Sequence, residues 1–198
     1  MIFHLFRSNT KYFITGSTYQ KVPYLRSERA KERILKLIFK GFTDYEWKIE
    51  NWVILNHHYH LMVEAPLKAD TLSDIIRDVH SFTALWIKKN INLKSKEYME
   101  CINRVDASTD PLGTLHNSSQ TKLFHNYWDT GVTYENSYYA RLNYIWHNPV
   151  KHGYVEDSAN WKFGSYYYRQ QNSEDNTGKL NKIIKNYPCD EVNVNDLF

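Results

Sequence analysis

Asn51-Trp52-Val53-Ile54-Leu55-Asn56-His57-His58-Tyr59-His60-Leu61-Met62-Val63-Glu64 decides how this chain is read. Its first half is apolar and β-branched, which favours extended backbone over a loop. Asn56-His57 reads as a tight turn between two strands, and one continuous strand with a bulge accounts for the same residues. Alternate side chains of a strand share a face, so a strand over 58–64 turns His58 and His60 one way and Tyr59 the other. Two imidazoles on one rigid face can hold a divalent cation while the residue between them packs inward. The same spacing also arises where histidines simply pack, so a site needs a nucleophile and a third ligand from elsewhere.

The flanking segments supply the fold. Residues 12–19 (Tyr-Phe-Ile-Thr-Gly-Ser-Thr-Tyr) are rich in β-formers and predict a first strand, ended by Pro23. Ser27 can cap a helix in which Ile34, Leu35, Ile38 and Phe39 form one apolar stripe. Arg26, Arg29, Lys31, Arg33, Lys36 and Lys40 crowd the same segment against only Glu28 and Glu32, a face that is either solvated or in contact with phosphates. Residues 47–55 predict a second strand. Thr71 or Ser73 opens a second helix, with Ile75, Val79, Phe82 and Trp86 as its stripe. Periodicity lapses over 92–122, a long loop of the kind that is usually functional or mobile. Residues 123–132 predict a fourth strand. Thr133 can cap a third helix with its body over 137–148, stopped by Pro149. The order β, α, β-β, α, β, α predicts an α+β, ferredoxin-like antiparallel sheet with helices packed on one face. Residues 1–170 read as one domain and 171–198 as a polar tail, with a short helix over 179–187.

Composition narrows the function classes. The chain has 198 residues and a formal charge of +3, mildly basic overall. Sixteen tyrosines and six tryptophans make stacking on bases feasible. Cys101 and Cys189 are too far apart for a CxxC pair, which disfavours a disulfide framework or zinc knuckle and fits a reducing cytoplasm. No run of 18 apolar residues suggests a membrane span, and residues 1–7 are too short and interrupted for a signal peptide.

The third helix offers the missing groups. Tyr144 and Asn148 stand at i and i+4, on one helical face. If that face meets the histidine strand, a phenol and an amide oxygen join two neutral imidazoles. Such a set suits Mg²⁺ or Mn²⁺ with positions left for phosphate oxygens. A phenol with its ordinary pKa of about 10 is a poor nucleophile alone. Against a positioned, charge-neutralised phosphate it can attack in line. Tyr138 and Tyr139 compete for the role, and Asn148 before a proline can equally be a helix cap.

These residues carry a family resemblance. Leu55-Asn56-His57-His58-Tyr59-His60-Leu61-Met62-Val63 resembles the HUH segment (His, hydrophobic, His) of single-tyrosine transposases. Tyr144-Ile145-Trp146-His147-Asn148-Pro149-Val150-Lys151-His152-Gly153-Tyr154-Val155 is similar to their Tyr-Ile-x-x-Asn-Pro-Val-Lys-x-Gly-x-Val signature, above all in the REP-associated branch of the insertion-sequence-200-like superfamily. Residues 161–169 and Ser81-Phe82-Thr83-Ala84 match further segments, and the resemblance spans roughly residues 10–170. It implies cleavage and rejoining of single-stranded, hairpin-flanked DNA through a 5′-phosphotyrosine. Tyr144 would be the nucleophile and His58 and His60 the ligands of a divalent metal, with Asn148 completing the set. Lys151, His152, Arg29 and Arg33 become candidates for DNA contact. It further implies a cytoplasmic, nucleoid-associated protein, with a homodimer left open. Two departures stand out: Asn56-His57 replaces the usual Pro-Asn, and His80 stands where lysine is common. The rival readings are a domesticated DNA-binding protein and a metal-dependent nuclease in which Tyr144 is structural.

Overall fold

Four strands form one antiparallel sheet in the order β2-β3-β1-β4: β1 Lys11–Ser17, β2 Lys48–Ile54, β3 His58–Glu64 and β4 Trp128–Val132. With helices α1 Glu28–Asp44 and α2 Leu72–Asn90 between strands, this is the expected ferredoxin-like α+β arrangement. The computed structural model describes residues 7–96, 98–100 and 122–171. Cys101, Cys189, most of the expected 92–122 loop, residues 172–198 of the tail and its expected short helix lie outside the described residues. No helix among the described residues is long and apolar enough to cross a membrane.

Strand alternation divides the core in two. Tyr12, Ile14, Ile54, Tyr59, Leu61 and Val63 point to one face, where α1 and α2 cover them with Ile34, Ile38, Phe42, Ile75, Ile76 and Val79. Val53, Leu55 and Met62 point to the other and meet Leu142, Ile145 and Trp146 of α3, Glu135–Lys151. The pair α1 and α2 therefore shares one face, as the periodicity predicts, and α3 closes the opposite one. Burial on both faces explains why 52–55 and 61–63 read as continuous apolar runs rather than as clean alternation.

A bulge in β2 fixes where α3 lies. The ladder to β3 pairs Ile49 with Val63 and then Asn51 with Met62, leaving Glu50 as the extra residue. Glu50 and Asn51 thereby both reach the α3 side. Asn51 Oδ1 accepts from the Trp146 indole (3.1 Å) and from Ser165 Oγ (3.3 Å). Glu50 accepts from the Tyr138 hydroxyl (3.0 Å) and pairs with Lys11. Ser165 opens α4, Ser165–Gln171, a short helix that the aromatic run 161–169 does not announce.

Helix boundaries follow local chemistry, with corrections. Ser27 caps α1, its hydroxyl accepting from Ala30 N (3.2 Å), as expected. The buried stripe of α1 is Ile34, Ile38 and Phe42; Leu35 and Phe39 lie at its margin. In α2 the buried row is Leu72, Ile75, Ile76, Val79, Thr83 and Ile87, whereas Phe82 is 50% exposed. Tyr134 rather than Thr133 is the N-cap of α3, and Pro149 does not stop that helix. A proline in the last turn forfeits one hydrogen bond yet can be carried when the turn closes otherwise. Here His152 N bonds to Asn148 O (3.1 Å), and Gly153, at φ 68°, bonds back to Val150 O (2.9 Å). β4 begins at Trp128 rather than near Leu123; Phe124 makes only a single bridge, to Thr18.

Candidate active site

The site begins with the β2–β3 turn, which starts β3 at His58. Register in β3 then sends His58 and His60 to the α3 side, with ring centroids 4.9 Å apart. Tyr59 goes the other way, fully buried, and its ring crosses β1 over Gly16. Only a residue without a side chain leaves room there. Beyond Gly16 the Tyr59 hydroxyl lies 2.9 Å from His80 Nε2, and His80 stacks on Phe124 at 4.4 Å. Tyr59 is thus a fixed anchor between the two histidines.

α3 delivers the remaining groups. The Tyr144 ring sits 5.0 Å from the His60 ring and 6.2 Å from Phe13. One turn later Asn148, 1% exposed, places Oδ1 3.2 Å from His58 Nε2. One further turn brings Lys151 Nζ over the Tyr144 ring at 5.5 Å. His152, at the end of α3, lies 5.0 Å from His58 and 5.7 Å from His57 between ring centroids. His58, His60, Tyr144, Asn148, Lys151 and His152 are therefore gathered in one place. Arg29 and Arg33 are not: they ride on α1, across the sheet. Arg29 lies over the Trp86 ring at 5.8 Å. Tyr138, the competing tyrosine, is committed to Glu50, and burial beside that carboxylate pushes its hydroxyl pKa up.

One member of the cluster is not legible in the sequence. Thr15 faces His60 in the β1–β3 ladder, and its Oγ1 lies 2.8 Å from His60 Nδ1. A proton on Nδ1 directed at Thr15 leaves the Nε2 lone pair free, the arrangement that positions a metal-ligating histidine. Cross-strand register supplies this partner, and no local motif marks it.

The electrostatics keep both imidazoles neutral. Burial, then the neighbouring His57 and His152, lower the His58 pKa from 6.5 to about 4, against a raising contribution from Asn148. Burial places His60 well below its ordinary value, aided by His58 and His152. Neutral imidazole is the ligand form. His58 Nδ1, His60 Nε2 and Asn148 Nδ2 are buried without a protein hydrogen-bond partner. Of these, His60 Nε2 offers a lone pair to a cation, whereas the Asn148 amide nitrogen only donates and suits an acceptor such as a phosphate oxygen. Ligands about 2.1 Å from an octahedral cation stand roughly 3 Å apart when adjacent, so the His58–Asn148 separation is compatible with one shared ion. Among the described residues no group of three or more His, Cys, Asp or Glu side chains could hold a metal. A cation here would rest on two histidines and the amide oxygen.

Known proteins place this arrangement. The fold matches the solved structure of a REP-associated tyrosine transposase bound to a REP hairpin, with TM-score 0.59 and 17% identity over 86% of this chain and 85% of that one. The family described as "Transposase IS200 like" matches residues 6–102. The REP-associated tyrosine transposase of Escherichia coli (strain K12) is 25% identical over 163 residues, covering 79% of this chain and 81% of that protein. The chain is similar to the IS200-like family of single-tyrosine (HUH) transposases, and within it to the REP-associated branch. Its function at the level of the family is that of a transposase.

Proposed function

We propose that the protein cleaves and rejoins single-stranded, hairpin-flanked DNA through a covalent 5′-phosphotyrosine on Tyr144. The observation that carries this reading is the convergence of Tyr144 and Asn148, one helical turn apart, on His60 and His58. His58, His60 and Asn148 would hold Mg²⁺ or Mn²⁺, and Thr15 would fix the tautomer of His60. When bound, that cation supplies charge neutralisation and polarisation of the scissile phosphate.

The chain's own groups do the rest. Tyr144 Oη forms a bond to phosphorus as the bond to the 3′-oxygen breaks. The phenol gives up its proton, and the departing 3′-oxygen takes one up, so the products are a 5′-phosphotyrosine and a free 3′-hydroxyl. Attack by another 3′-hydroxyl runs the step backwards and restores the phenol, so the phosphodiester energy is conserved. Lys151, over the Tyr144 ring, and His152, beside His58, would meet phosphate oxygens. Arg29 and Arg33 lie across the sheet and can serve only DNA that wraps around the molecule. Residues 1–170 act as the catalytic domain, residues 171–198 as an accessory tail, and the setting is cytoplasmic DNA.

The test is a denaturing gel of the protein incubated with single-stranded hairpin DNA and Mg²⁺ or Mn²⁺. A covalent adduct is expected from the wild type and not from Tyr144→Phe. An adduct that survives Tyr144→Phe, or none from the wild type, overturns the proposal. Cleavage without an adduct points to a nuclease, and binding without cleavage to a domesticated DNA-binding protein.

A further inference from the structure

We infer that Trp128 is a stacking platform for an unpaired base of the DNA strand entering the site, within about three nucleotides of the bond that Tyr144 attacks. This rests on the reading of Tyr144 as the nucleophile. The sheet register carries the argument. Val53 pairs with His60, His60 with Thr15, and Thr15 with Trp128. Directly opposed residues share a face, and the Thr15 contact with His60 Nδ1 fixes which face that is. Trp128 therefore stands in the same cross-strand row as the catalytic-side histidine, two strands away on β4. Two strand spacings are about 10 Å, roughly three steps of a stacked strand at 3.4 Å each.

The indole is presented rather than packed. Trp128 is 66% exposed, and among the described residues no ring or side-chain hydrogen bond covers it. Its side of the sheet suits a polyanion. Arg141 holds its guanidinium over Phe13, 5.0 Å from the ring, and Phe13 faces Thr130 on the same side of β4. The one acid in β4, Asp129, pairs with Ile14 and so turns to the opposite face. An exposed aromatic with a cation on its side of the sheet, in the row of a phosphate-cleaving centre, is the combination that single-strand binders use. A large indole on an edge strand otherwise invites pairing with another chain.

The probe is a ten-nucleotide oligothymidylate, with an abasic oligomer of equal length and charge as its control, titrated at low ionic strength. The wild type should prefer the oligothymidylate. Trp128→Ala should weaken oligothymidylate binding by about five- to one-hundred-fold, the range for stacking one base, and leave abasic binding unchanged. Trp128→Tyr should recover most of the loss, and Trp128→Leu, which keeps the bulk without the π face, should not. Equal affinities for wild type and Trp128→Ala overturn the inference, as does an equal loss for both oligomers or no binding by the wild type to either. A drop in solution mass on Trp128→Ala, read by light scattering, also overturns it, because the indole would then cover a second copy. The adduct gel is independent: an adduct with an indifferent Trp128 sinks this inference alone, whereas no adduct sinks the reading beneath it.

Discussion

Gly16→Ala should damage both stability and the site, and its cost can be worked from the contact it disturbs. A Cβ at this position would stand 2.2 Å from Tyr59 Cζ and 2.4 Å from Cε1 and Oη. Carbon atoms pack best at about 3.5–4.0 Å, so the ring must retreat by more than about 1 Å. It is fully buried and cannot swing into solvent. Overpacking of that kind costs roughly 1–3 kcal/mol. Retreat also breaks the Tyr59–His80 contact and strands a buried hydroxyl, roughly another 1–3 kcal/mol. A total near 4 kcal/mol lowers Tm by about 8–16 °C for a domain of this size. Urea denaturation of Gly16→Ala, Tyr59→Leu and the double variant measures it. The double variant should be more stable than the sum of the two losses by at least about 1 kcal/mol, because the shorter side chain removes the clash. A loss below about 1 kcal/mol for Gly16→Ala, or strict additivity, would refute the reasoning. The DNA adduct proposed for Tyr144 should also be lost from this variant, because Tyr59 anchors the strand between His58 and His60.

Thr15→Val keeps the shape of residue 15 but removes the partner of His60 Nδ1; Mn²⁺ affinity by calorimetry should fall about 10–100-fold, as for other outer partners of metal-binding histidines, and unchanged affinity would show that Thr15 does not set the tautomer. Tyr138→Phe should leave the DNA adduct intact and lose only a modest hydrogen bond to Glu50, on the order of 1–2 kcal/mol; loss of the adduct with retained folding would transfer the nucleophile away from Tyr144. Burial, with Lys122 nearby, lowers the His80 pKa to about 3. The unfolded chain takes up that proton near pH 6.5, so between pH 6.5 and 3 it binds more protons than the native state and stability falls as pH falls, by roughly 2 kcal/mol at pH 5 from this residue. His58 and His60, also lowered by burial, act in the same direction. His80→Gln should therefore shrink, not abolish, the difference between urea midpoints at pH 7 and pH 5, and an unchanged difference would place the sensitivity elsewhere.

What the sequence revealed divides by distance along the chain. Strand β3, the Ser27 cap and the i, i+4 pair Tyr144–Asn148 are local signals, and each is legible from spacing. The Tyr59 reversal is equally local, since alternation alone requires it. Thr15, Asn51 and Glu50 owe their roles to register and to a bulge, which place residues from different elements side by side, and no short window holds that information. The same limit explains Pro149. Local chemistry predicts a stop there, but the buried environment of Asn148 and the closing turn at Gly153 carry the helix two residues further. Phe82 belongs to a plausible stripe, yet the packing of α2 against α1 rotates the buried row towards Thr83. Arg29 and Arg33 share a basic segment, but α1 lies on the side of the sheet away from the histidines, a consequence of crossover handedness that composition does not express.

The bulge at Glu50 has a consequence for kinetics. By docking Trp146 on Asn51, it seats α3 on the sheet of its own chain, so Tyr144 and both histidines belong to one molecule. A reaction assembled from a single copy is first order in protein. The adduct formed per molecule should then stay constant on serial dilution at saturating DNA, whereas a site built by exchanging α3 between two copies would lose specific activity as the pair dissociates.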